Sequence, residues 1–255
     1  MAWPVGTIKV PLAGWQVTDW SLPGPGIWGL AGPNGSGKSQ FFSQLVAWGN
    51  KPQGLRVGLV MQNPRLQLTE ATVWDQMTWP FQRGWSGRMK PAVATRAEQI
   101  LAEWHLENYR TSAPWELSGG MQRRLALASM EILAPEVYLL DEPLEGLDLE
   151  HRVLLDTKLD QWSKTASVLV SSHVWQWLLV HTEWGWWCDQ GLTWGRMGEI
   201  WYQHGLSPEL PLEALWRRLL DKGAPVTPEA WANLERARNE VICICQNSHQ
   251  IPSIP

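Results

Sequence analysis

"GIWGLAGPNGSGKSQFFSQLVAW", residues 26–48, reads as an apolar strand, a glycine-punctuated loop and an amphipathic helix. The loop Gly32-Pro33-Asn34-Gly35-Ser36-Gly37-Lys38-Ser39 fits the spacing G-x-x-x-x-G-K-[ST] in the strand–helix setting which that spacing requires. Glycines let consecutive backbone N–H groups meet phosphate oxygens. Lys38 is placed to reach β- and γ-phosphates, and the Ser39 hydroxyl to ligate Mg²⁺. An accidental Gly-rich turn would not need a strand on one side and a helix on the other.

Outward from this loop the chain alternates strands and helices. "LRVGLVMQNP" (55–64) is a short strand stopped by Asn63-Pro64. Apolar residues fall at helical spacing from Ala92 to Leu106, and Gly119 opens a second long helix. "EVYLLDEP" (136–143) is a continuous apolar run ending in two carboxylates, and "ASVLVSSH" (166–173) is another such run; both read as buried parallel strands. This alternation predicts an α/β fold with a mainly parallel sheet. Asp141 closes its strand where it can hold Mg²⁺, and Glu142 leaves it towards the same phosphates, where it can activate a water. Gln62 and His173 read as strand-end residues, at the edge where open α/β sheets build ligand sites. On its own, a lone His or Gln in such a place is more often structural.

A second cradle is harder to explain. In "WELSGGMQRR" (115–124), Ser118, Gly119 and Gly120 precede a run of good helix formers, so several N–H groups point at one spot where the helix dipole favours an anion. One bound phosphate chain does not need two such sites from the same molecule.

The order of these pieces resembles the ATP-binding cassette ATPases. "GPNGSGKS", Gln62 in "VMQNP", "LSGGMQRR", "VYLLDEP", "LEGLD" and "SSH" carry the likeness, which runs from about Ile8 to Trp194. It implies a P-loop NTPase core over residues 1–197, with a helical subdomain at about 64–130. Ser118 lies 80 positions after Lys38, room for that subdomain but not for the long coiled coil of the DNA-repair relatives, so a transporter-type cassette is favoured. The resemblance implies that residues 32–39 bind ATP, that Gln62 senses the metal and partner, and that Asp141 assists Mg²⁺. It makes Glu142 the general base, places Asp148 in the loop crossing to a second subunit, and has His173 hold the γ-phosphate. Ser118, Gly119 and Gly120 would bind the γ-phosphate held by the other chain, so the second cradle serves a neighbour's nucleotide.

A narrower likeness joins "MQNPRLQLTEATVWDQMTWPF" and "LPLEALWRRLLDKGAPVTPEAWANL" to the energy-coupling-factor transporters, the cobalt and vitamin importers. It implies a small C-terminal helical extension over 198–255 and a role powering import of a metal ion or vitamin. The partners implied are transmembrane subunits and a second ATPase subunit, identical or paralogous, at the inner face of the cell membrane. Another ABC importer or exporter, or a soluble ABC ATPase, is the alternative. Trp74, Trp79, Phe81 and Trp85 are expected to line the groove that receives the membrane subunit. The pattern departs at Met121, where Gln is usual, at Gln40, where Thr is usual, and near Val10 and Pro11, where an adenine-stacking aromatic is missing; Trp3 and Trp15 are the nearest substitutes.

Composition bounds these readings. With 44 % hydrophobic and 18 % charged residues the chain is globular. A net charge of −4 offers no basic surplus for nucleic acid. Cys188, Cys243 and Cys245 have no zinc or disulfide spacing, which fits a reducing cytoplasm. The N-terminus does not read as a signal peptide, and the apolar stretch 168–188 is broken by His173, His181 and Glu183 and is not a membrane span. Twenty tryptophans are read as general core and surface hydrophobes rather than as a membrane patch.

Overall fold

The computed structural model describes residues 23–49, 55–82, 91–189 and 191–204. Strand β1 (Gly26–Ala31) leads through the glycine loop into α1 (Lys38–Gly49). Then follow β2 (Val57–Val60), three helices α2 (Val73–Gln82), α3 (Pro91–Glu103) and α4 (Gly119–Leu133), and β3 (Val137–Asp141). Helix α5 (Leu149–Trp162), β4 (Ser167–Ser171), α6 (Trp175–His181), β5 (Trp184–Cys188), β6 (Leu192–Arg196) and α7 (Met197–His204) complete the order. The six strands form one sheet in the order β2-β3-β4-β1-β5-β6. All pairings are parallel except β5 with β6, which run antiparallel across a short connection. The mainly parallel α/β reading therefore holds.

Strand alternation divides the core in two. Val137, Leu139 and Leu169 face one side with Leu30, Phe41, Phe42 and Leu45, so α1 covers that face. Tyr138, Leu140, Val168 and Val170 face the other, where they join Leu155 and Leu159 of α5 and the helical residues Met77, Ile100, Trp104 and Leu125. Because β3 and β4 are buried on both faces, their sequences are continuous apolar runs rather than alternating ones.

The helices of the expected subdomain are tied to the core through one buried carboxylate. Glu131 of α4 accepts from Trp104 Nε1 at 2.9 Å, from Lys158 Nζ of α5 at 2.7 Å and from Arg96 Nη2 of α3 at 3.0 Å. Three donors, two from α3 and its C-terminal end and one from α5, satisfy a charge that burial alone would make costly.

Two strands stop earlier than the sequence reading has them. β2 ends at Val60 and β4 at Ser171, so Gln62 and His173 lie in the loops two residues beyond rather than on the strand ends. Helix α7 spans the expected boundary between residues 197 and 198, with Met197 and Ile200 buried against the sheet. The expected extension beyond His204, the Trp3 and Trp15 alternatives for adenine stacking, and Trp85 lie outside the described residues.

Candidate nucleotide site

The phosphate loop is shaped by two contacts with β5. A side chain at Gly32 would place its Cβ 2.2 Å from the Cys188 carbonyl oxygen, so only glycine lets the loop pass there. Ser36 Oγ lies 3.4 Å from Cys188 Sγ, which in turn lies 3.3 Å from the Ser36 carbonyl. Burial pushes the Cys188 thiol above its usual range, so it stays a neutral packing group beneath the loop. Lys38 Nζ donates to the carbonyls of Gly32 at 2.8 Å and Pro33 at 2.9 Å. These acceptors are uncharged, so the ammonium charge is held over the loop without being cancelled. As the first residues of α1, Lys38, Ser39 and Gln40 have amides with no intrahelical acceptor.

The loop faces the strand-end carboxylates across a cavity of about 320 Å³. Asn34, Gly35, Gly37, Lys38, Ser39, Gln40, Gln62, Asp141 and Glu142 line it. Ser39 Oγ donates to Asp141 Oδ2 at 2.5 Å. Ser171 Oγ donates to the other oxygen, Oδ1. Glu142 is a buried residue with φ 49°, a left-handed backbone that a side chain of its kind seldom adopts without support. Its N–H donates to both the carbonyl and the hydroxyl oxygen of Ser171, each at 3.1 Å. Its carboxylate Oε2 meets His173 twice, from the backbone N–H at 3.2 Å and from Nδ1 at 2.8 Å. The His173 ring is two-thirds exposed, leaving Nε2 for a ligand.

The second cradle stands apart from this cavity. Ser118 caps α4, accepting from the Met121 N–H at 3.4 Å. Gly119 lines a different cavity of about 390 Å³ with Asn63, Arg65, Gln122, Arg123, Glu145 and Gly146; Gln62 borders both. The two glycines serve different ends. A Cβ at Gly120 would stand 2.7 Å from the Gly146 carbonyl oxygen, whereas a Cβ at Gly119 would meet nothing within 4 Å. Gly120 is thus required by packing, and Gly119 leaves open backbone. Asp148 lines neither cavity: it caps α5, its Oδ1 accepting from the His151 N–H at 3.0 Å and contacting His151 Nδ1 at 2.6 Å. Those hydrogen bonds, the backbone one first, hold its carboxyl below the usual range.

Two residues at these sites fall inside the quoted motifs "SSH" and "LSGGMQRR" but are given no role by the sequence. Ser171 is one, the polar residue that ends β4. Arg123 is the other: buried, it donates to the Met61 carbonyl at 2.7 Å and to the Gln62 carbonyl, with Glu145 3.7 Å away. Desolvation lowers its affinity for a proton. "QRR", one residue after the glycine pair, is the sequence signal for it.

The family described as "ABC transporter" matches residues 16–145. The chain is 32 % identical over 173 residues to the nickel import ATP-binding protein LarO of Lactiplantibacillus plantarum, covering 58 % of this chain and 70 % of that one. It is 35 % identical over 164 residues to the cobalt import ATP-binding protein CbiO of Rhodobacter capsulatus, covering 56 % and 58 %. In fold it is similar to cbiO1 from Clostridium perfringens, part of the complex cbiONQ, with TM-score 0.59 and 19 % identity over 81 % of this chain and 88 % of that chain.

Proposed function

We propose that this chain, which belongs to the ABC transporter family and is an ATPase, powers a membrane importer of a transition-metal ion of the nickel or cobalt class. The metal class rests on the relatives named for nickel and cobalt import. The observation that carries the catalytic part is the convergence of Lys38, Ser39, Asp141 and Glu142 on one cavity.

The residues present fit Mg²⁺. Ser39 Oγ and Asp141 Oδ2 converge within 2.5 Å, and Gln62 lines the same cavity, giving the oxygen-only donor set such a hard cation takes. Bound there with ATP, the ion would neutralise charge on the β- and γ-phosphates. The remaining steps belong to the chain's own groups. Loop amides and Lys38 take the phosphate oxygens. Glu142, gripped by His173 at Oε2, presents its other oxygen to a water and takes its proton as the water attacks the γ-phosphorus, while the bond to the β,γ-bridging oxygen breaks and ADP leaves. His173 holds the γ-phosphate from the exposed Nε2 side of its ring.

Ser118 and Gly119 lie outside this cavity, which favours a paired arrangement: the signature of one chain completes the nucleotide site of a second. Among the described residues no helix is long and apolar enough to cross a membrane. The relatives named for nickel and cobalt import support separate membrane subunits, with this chain at their inner face. The surface between β2 and α4 is the docking region. Trp74 there is half-buried under Arg110, whose guanidinium lies 3.6 Å over its ring, and Trp79 and Phe81 are also half-buried. Among the described residues of this surface, Leu66 and Trp115 are large apolar side chains left open. Co-expression with candidate membrane subunits and measurement of ATP-dependent nickel or cobalt uptake into vesicles tests the proposal. Uptake abolished by Lys38→Ala is expected; ATP-dependent uptake or efflux of other solutes only would overturn the metal assignment.

A further inference from the structure

We propose that Ser171 is a positioning residue that sets the divalent-cation affinity of the site by fixing Asp141 and Glu142 in a defined mutual orientation. Ser171 is fully buried at the end of β4, directly opposite Asp141 in the sheet register. Its hydroxyl carries one proton. A carboxylate and an N–H flank it, so the proton goes to Asp141 Oδ1 and a lone pair receives the Glu142 N–H at 3.1 Å. With Oδ1 engaged, the Asp141 carboxylate is turned so that Oδ2 faces Ser39 Oγ, 2.5 Å away, at the mouth of the cavity. The same hydroxyl, with the Ser171 carbonyl, supports the left-handed backbone from which the Glu142 side chain departs. One side chain therefore sets the angle between the cation-holding carboxylate and the general base.

The inference rests on the reading of Ser39 and Asp141 as the residues that hold the cation. Its test compares two side chains of nearly equal volume that differ in the hydroxyl, Ser171→Thr and Ser171→Val. The readout is Mn²⁺ affinity of the full chain saturated with a non-hydrolysable ATP analogue, from free Mn²⁺ by electron paramagnetic resonance, so no turnover is needed. Removing a hydrogen bond to a charged group should weaken Mn²⁺ binding about tenfold in Ser171→Val, with Ser171→Thr staying within about twofold of the parent. Ser171→Ala, which adds no atom to the buried site, serves if the branched variants do not fold, and the same tenfold weakening is expected. Equal Mn²⁺ affinity in the parent and in Ser171→Val or Ser171→Ala overturns the inference. Asp141→Asn separates it from the reading beneath it. If that change weakens Mn²⁺ and loss of the Ser171 hydroxyl does not, the inference alone fails. If Asp141→Asn leaves Mn²⁺ binding unchanged, the cation assignment itself falls, and the inference with it.

Discussion

The proposed hydrolysis turns on the Glu142 carboxylate. It is buried, backed by His173 at one oxygen and open to the phosphate cavity, the environment a general base needs. Glu142→Gln keeps the shape and removes the basicity. Hydrolysis should fall by about 10² to 10⁴ while ATP binding persists, measured by phosphate release against equilibrium binding. Turnover near that of the parent would move the base elsewhere. A second residue reports on the core. Burial, with Glu131 nearby, pushes the Tyr138 phenol up to about 12, and its ring stacks on Trp162 at 4.6 Å. Its folded value lies above the unfolded one, so the stability it contributes is complete below about pH 10 and is lost as pH rises from about 10 towards 12. Urea midpoints from pH 9 to 12 should decline over that window in the parent and less in Tyr138→Phe.

At the scale of elements, the two helix N-termini have different partners. The start of α1 faces its own chain's carboxylates, whereas the start of α4 faces a separate cavity bordered by Gln62, Glu145 and Gly146. If α4 serves a neighbour, Lys38→Ala and Ser118→Arg chains, each inactive alone, should regain activity when mixed. One site of a mixed dimer then joins an intact loop to an intact signature, and up to one working site per mixed dimer returns. If α4 served its own chain, every site would contain one lesion and no ATPase activity would reappear once mixed dimers had been shown to form. Arg123 links these elements, since its guanidinium on α4 holds the backbone of the Gln62 loop.

At the scale of the molecule, the proposed coupling would carry force from the cavity to a membrane subunit across the helical layer. Glu131 joins α3, α4 and α5 in one buried cluster, so the layer has a fixed joint with the core. The open apolar groups Leu66 and Trp115 sit on turns connected through Arg65, Gln122 and the Pro114 carbonyl, with contacts of 3.1 Å on each side of Gln122. Trp115→Asp should abolish metal uptake in reconstituted vesicles and leave basal ATP hydrolysis within about twofold, because a surface substitution away from the site changes stability little. Loss of both activities together would make Trp115 part of the fold rather than of the interface.

The sequence alone determined the α/β class, the phosphate loop and the pair Asp141 and Glu142. Each of these is a local matter: glycine spacing sets a loop, and a doubly buried strand must be an unbroken apolar run. It also separated the signature from the loop as a second cradle. Only the tertiary structure decided that Gly120 is there for packing against Gly146 while Gly119 stays open. The same holds for Ser171 lying between Asp141 and Glu142, for Arg123 gripping the Gln62 loop, and for Trp74 lying beneath Arg110 rather than open to a partner. These depend on segments brought together by sheet order: β3 beside β4, and α4 against the loop after β2. A serine after an apolar strand, or an arginine on a helix, looks alike in any sequence; its role comes from the carboxylate or carbonyl that the fold sets opposite it.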